Sequence, residues 1–119
     1  MDLERTGMTA RYSDSAAFRG IVFLAGHVAE KTEGASLAEQ TREVLALLDE
    51  TLAAAGSSKE RLLSVQIFLT DIGRIAEMNA VWDRWVAPGH APPRATVQAA
   101  LASPGYAIEI TAVAAKADG

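Results

Sequence analysis

Apolar positions along this chain recur with two different periods, and each change of period marks a boundary between elements. Residues 9–16 read as an edge strand, Phe18-Arg19-Gly20 as a turn and Ile21 to Ala25 as a continuous apolar strand, which together predict a hairpin. Gly26 to Ala35 is polar and irregular. Ser36 followed by Glu39 is an S-x-x-E capping box, and Leu37, Val44, Leu48 and Leu52 then fall along one side of the helix that it opens. Gly56 is the natural stop, because glycine adopts the left-handed conformation that closes a helix C-terminus. Leu62 to Thr70 reads as a strand. A second helix begins near Asp71, buries Ile75, Met78, Trp82 and Trp85 at helical spacing, and must end before Pro88-Gly89.

Beyond Pro92 the period returns to two. Arg94, Thr96 and Gln98 alternate with Ala95, Val97 and Ala99, which predicts a strand with the guanidinium on a polar face. After a Ser103-Pro104-Gly105 turn, Glu109 and Thr111 alternate in the same way with Ile108, Ile110 and Ala112. The order is β-β-α-β-α-β-β, an α+β (α/β) pattern with a mixed sheet. Ile21 to Leu24 and Leu62 to Leu69 carry apolar side chains on both faces, as strands do when covered on both sides. Two helices of this length cover only one face of a five- or six-stranded sheet. The other face must find its cover in another copy of the chain, so the pattern predicts a homo-oligomer.

With 119 residues, half of them hydrophobic, the whole of residues 1–119 makes one domain. Eleven basic residues are scattered among fifteen acidic ones, for a net charge of −4, which argues against a nucleic-acid partner. There is no cysteine, hence no disulfide framework and no thiolate nucleophile, a composition suited to a reducing cytoplasm. Met1 to Arg5 has no basic segment leading into an apolar run, and no apolar stretch reaches membrane-spanning length. The expectation is a cytoplasmic protein with no membrane partner. His27 and His90 stand far apart without a paired-acid motif, so no metal site is expected, and no glycine-rich phosphate loop suggests a cofactor.

The candidate chemistry lies in Arg94 and Glu109. A guanidinium fork can hold a carboxylate by two parallel hydrogen bonds, and a nearby carboxylate can orient a water, which together would suit a small 2-substituted carboxylic acid. An ordinary cross-strand ion pair on a solvated face would have the same pattern, and on geometry alone it is the commoner arrangement.

The stretch Pro92-Pro93-Arg94, followed by Ala107-Ile108-Glu109-Ile110-Thr111-Ala112-Val113-Ala114, resembles the C-terminal signature of the Rid family, also called YjgF or L-PSP proteins. Val22-Phe23-Leu24-Ala25-Gly26, Glu39-Gln40-Thr41-Arg42, Leu52 to Gly56, Val65 to Asp71 and Met78-Asn79-Ala80-Val81-Trp82 match it in the same order. The resemblance implies a chorismate-mutase-like fold with two helices on one face of the sheet, and a homotrimer with sites in the clefts between subunits. It implies that Arg94 grips the substrate carboxylate and that Glu109 places the attacking water. Tyr12, Gly26, His27, Asn79 and Thr96 would line the substrate pocket, although His27 and Thr96 stand where many members have glutamine and cysteine. The implied activity is cofactor-independent hydrolysis of small 2-imino or 2-enamino acids. A hydrolase for another enamine or carbamate intermediate, or a non-catalytic trimer binding a small carboxylate, are the alternatives. Some members were once labelled endoribonucleases, and the charge ranks that reading last.

Overall fold

The computed structural model describes residues 2–117; Met1, Asp118 and Gly119, which the sequence reading includes in the domain, lie outside them. Seven strands and two helices follow in the order β1 (Glu4–Thr6), β2 (Ser15–Phe18), β3 (Ile21–Leu24), β4 (His27–Val28), α1 (Leu37–Ala54), β5 (Leu62–Leu69), α2 (Ile75–Trp85), β6 (Arg94–Gln98) and β7 (Ile108–Ala115). They form a single mixed sheet of order β1-β2-β3-β7-β5-β6, with β4 pairing to β7 beyond the end of β3. Among the described residues only β5 and β6 run parallel, because α2 carries the chain back to the starting edge between them.

Local chemistry accounts for most boundaries. Arg19 and Gly20 both have positive φ, 54° and 81°, between the paired residues Phe18 and Ile21, which gives the two-residue hairpin turn whose twist suits the strands. Ser36 caps α1 by accepting from Glu39 N at 3.1 Å. Gly56, at φ 81°, closes it: Gly56 N donates to Ala53 O and Ser57 N to Leu52 O, the paired bonds of a Schellman stop. A single 3-10 turn at Ile72–Arg74, started by Asp71 accepting from Gly73 N at 3.0 Å, precedes α2.

Two short strands depart from the pattern read in the sequence. The predicted edge strand over 9–16 begins only at Ser15, because Thr9 Oγ1 accepts from Arg11 N and Tyr12 N and curls that segment into a turn. The outer edge is instead β1, whose Glu-Arg-Thr sequence carries no apolar alternation and is held by pairing with β2. Within the stretch expected to be irregular, His27 and Val28 add a two-residue strand opposite Ile110 and Glu109.

The core lies between the helices and one face of the sheet. Val22, Leu24, Val65, Ile67, Leu69, Ile108 and Ile110 meet Val44, Leu45, Leu48, Leu52, Met78 and Trp82, all buried. Each such aliphatic side chain contributes about 1.5–3 kcal/mol by leaving water. Among the described residues no helix lies over the opposite face. There Phe23 and Val97 are 54% and 43% exposed, and Ile21, Phe68 and Val113 are half-buried beside them. Among the described residues no helix is long and apolar enough to cross a membrane.

Candidate active site

Arg94 opens β6, an edge strand, level with Val65 of β5. Val65 points into the core, so its neighbour Arg94 also points to the helix side, where its guanidinium carbon rests 5.1 Å from the centre of the Trp82 ring. The polar face of this strand is therefore turned toward the helices, and Ala95 and Val97 look outward from the open face. The guanidinium has no hydrogen bond or ion pair among the described residues, and Arg94 as a whole is half-buried. Thr96 follows on the same side, level with Ile67, with its Oγ1 buried and without a hydrogen-bond partner among the described residues. Asn79, half-buried, sits three residues before Trp82 on α2 and so on the same flank of that helix.

Glu109 lies on β7, level with Val28 on one side and Phe68 on the other. Its side chain leaves the open face of the sheet, since Ile108 and Ile110 on either side are buried in the core. The carboxylate packs directly on Gly26, where any Cβ would collide with Glu109 Oε2. No hydrogen bond or ion pair of Glu109 is found among the described residues. Nearby, Thr111 Oγ1 donates to Leu24 O at 2.6 Å, tying β7 to the end of β3 just before Gly26.

These two charged groups do not meet within one chain. Strand β5 separates β6 from β7, and the registers Val65↔Arg94 and Phe68↔Glu109 set them three residues apart along it. Two strand spacings and three residue rises place their Cα atoms roughly 14 Å apart. An offset of three, being odd, also puts them on opposite faces. The cross-strand ion pair left open by the residue pattern is thereby excluded. The turn at Ser103-Pro104-Gly105 exists, closed by Tyr106 N donating to Ser103 O at 3.1 Å, but the strands on either side of it are not paired.

Tyr12, Gly26 and His27 share a cleft of about 540 Å³ between α1 and the loop over residues 7–14. Asp14, Glu30 and Glu50 give this cleft a negative lining that repels an anion, and neither Arg94 nor Glu109 lines it. Tyr12 is exposed at its rim. His27 turns its ring inward: Nδ1 donates to Ala25 O at 2.7 Å, which leaves Nε2 to accept from Thr51 Oγ1 at 2.8 Å. Both nitrogens are thus engaged, Nδ1 within the bend that leads into β4 and Nε2 in holding β4 to α1. Among the described residues no three His, Asp or Glu side chains converge as metal ligands.

Two residues prepare this region in ways the sequence did not single out. Gln40, buried on α1, donates from Nε2 to Ala35 O at 3.1 Å and Gly105 O at 2.9 Å, and accepts from Ala107 N at 2.8 Å. It aims the chain from the turn into β7 and hence sets Glu109. Its signal is a polar residue on the apolar side of α1, one turn before Val44. Glu43 accepts from Thr32 Oγ1, Thr32 N and Lys31 N; burial works against its charge, but those bonds outweigh it and hold the carboxyl below the usual range. Tyr106, beside the turn, is pushed above its ordinary value by burial and by the charges of Glu33, Glu30 and Glu43.

Residues 3–116 match the family model described as Endoribonuclease L-PSP. A RutC family protein of Haemophilus influenzae is 41% identical over 114 residues, covering 96% of this chain and 98% of its own. The RutC family protein YoaB of Escherichia coli K12 is 43% identical over 115 residues, 97% and 99% of the two chains. Among solved structures, a YjgF family member from Neisseria meningitidis superposes with a TM-score of 0.96 at 47% identity, covering 100% of this chain and 98% of that one.

Proposed function

This chain belongs to the Endoribonuclease L-PSP family, which takes in the RutC and YjgF proteins, and on that premise we propose that it hydrolyses small 2-imino acids, or their enamine tautomers, to 2-oxo acids and ammonia. The observation that carries the reading is the pair Arg94 and Glu109. Both are charged, neither makes a hydrogen bond or ion pair among the described residues, and they stand on opposite faces of one sheet. That leaves the fork and the carboxylate available to a ligand held between two copies of the chain. The apolar open face around Phe23, Phe68, Val97 and Val113 is the surface on which copies would join, as a homotrimer.

In the cleft between copies, Arg94 of one subunit grips the substrate carboxylate by its two-pronged fork and draws charge from the adjacent imine. A backbone carbonyl near Thr96 orients the imine nitrogen. Glu109 holds a water against the imine carbon and takes its proton as the C–O bond forms. The resulting carbinolamine collapses with the proton delivered to nitrogen, breaking the C–N bond and releasing ammonia and the 2-oxo acid. Imines already hydrolyse in water, so orientation and partial desolvation account for the acceleration required. No cofactor enters. RNA cleavage has no place in the proposal, because a net charge of −4 offers no footprint for phosphates.

The test is an assay of purified protein against imines generated in situ from several amino acids, read as suppression of semicarbazone formation. Mixed trimers of Arg94→Ala and Glu109→Ala subunits extend it. If each site draws its two groups from different copies, a mixed trimer regains one intact site and measurable activity, whereas either variant alone stays inactive. Mixtures as inactive as their parents would remove the shared site.

A further inference from the structure

The Arg94 guanidinium needs something to hold it in place, and the structure provides no carboxylate for that purpose among the described residues. What lies beneath it is the indole of Trp82, 5% exposed, with the guanidinium carbon 5.1 Å from the ring centre. A carboxylate would fix the fork but occupy the N–H donors that a ligand must use. An aromatic face attracts the cation through its π electrons and leaves the donors at the edge of the guanidinium free.

The ring itself is immobilised from behind. Trp82 leans on Trp85 with centroids 5.3 Å apart and planes at 49°. Trp85 in turn donates from Nε1 to Asp49 Oδ2 at 2.9 Å, binding α2 to α1. Lys59 completes the stack, with Nζ 5.2 Å from the Trp85 ring centre and donating to Trp85 O at 2.6 Å. An edge-strand arginine is thus referenced, through two indoles, to both helices.

We propose that Trp82 is the positioning residue of the binding site: it holds the Arg94 fork in a ligand-ready orientation by a cation–π contact that uses none of its donors. This rests on Arg94 being the carboxylate grip. A side chain that merely filled the core would be replaceable by any apolar group of similar volume without effect on the ligand.

The experiment measures 2-oxobutanoate binding by calorimetry, together with imine hydrolysis, in folded protein of the wild-type oligomeric state. Trp82→Leu should weaken binding roughly two- to thirtyfold, the span of cation–π contacts from exposed to desolvated, with the loss in KM rather than kcat. Trp82→Phe should recover much of it. Should the leucine variant not fold, biosynthetic 5-fluorotryptophan in a Trp85→Phe background depletes the π face of Trp82 with little change in volume, and should weaken binding in Arg94 protein but not further in Arg94→Ala protein, which has no cation over the ring. Unchanged 2-oxobutanoate affinity on fluorination, with Arg94→Lys itself weakening binding, would overturn the role of Trp82 alone. No weakening by Arg94→Lys would instead remove the premise that Arg94 is the grip.

Discussion

Gly26 lies directly against the Glu109 carboxylate, so closely that the strand end and the acid exclude any side chain between them. The constraint is one of space, since the glycine is not among those with positive φ. Gly26→Ala should therefore displace the carboxylate with little loss of stability, because the colliding oxygen is the free end of a flexible side chain, and reduce imine hydrolysis by up to about a hundredfold through a misplaced water. In a Glu109→Ala background the same substitution should bring no further loss of rate, because the displaced carboxylate is gone. A wild-type rate in the Gly26→Ala protein would show that the glycine does not set the position of Glu109.

Much of this fold was legible where short-range chemistry decides it. Ser36 with Glu39, Gly56, and the Arg19-Gly20 turn each carry their boundary in a few adjacent residues. What escaped depends on partners distant in sequence: β1 and β4 are three and two residues long and exist only through pairing with β2 and β7. Period-two alternation told correctly that Arg94, Thr96 and Gln98 share a side, but alternation cannot say which side faces the core. The registers of β6 and β7 on β5 settle that, and their odd offset, Val65↔Arg94 against Phe68↔Glu109, sends the two residues to opposite faces. Trp82 was legible as core. Its second position, beneath a cation from another strand, was not.

The uncovered face of the sheet makes a prediction of its own. Phe23 is 54% exposed in the middle of that face, with Ala16 and Val113 beside it in register. Light scattering should give three times the chain mass for the native protein, and Phe23→Asp should lower it toward the monomer while far-ultraviolet dichroism remains. A monodisperse native monomer at micromolar concentration would leave this apolar face without an occupant and the proposed site without its second half.

Acid should weaken the loop over residues 29–35 through Glu43. Its folded-state pKa lies below the unfolded value, because bonds from Thr32 and Lys31 outweigh the cost of burial. The stabilisation is then complete above the usual carboxylate range and is lost as pH falls through the folded value. Urea unfolding should show a stability gap between wild type and Glu43→Gln at neutral pH that closes in acid. A gap of constant size across that range would mean that the glutamate acts only through the shape of its hydrogen bonds.

Arg94→Lys keeps the charge over Trp82 but replaces a planar two-pronged donor with a single compact ammonium. If Arg94 grips a carboxylate, hydrolysis should fall roughly ten- to a hundredfold, corresponding to the ~1.5–3 kcal/mol of a charge-assisted hydrogen bond. Stability should change little, since the guanidinium makes no hydrogen bond or ion pair among the described residues and the core beneath it is built from Val65, Ile67 and Met78. Benzoate or a 2-oxo acid should bind native protein at this fork and bind the lysine variant more weakly by a similar factor. Wild-type rates in a normally melting, trimeric lysine variant would reduce Arg94 to a surface residue and withdraw the deaminase reading with it.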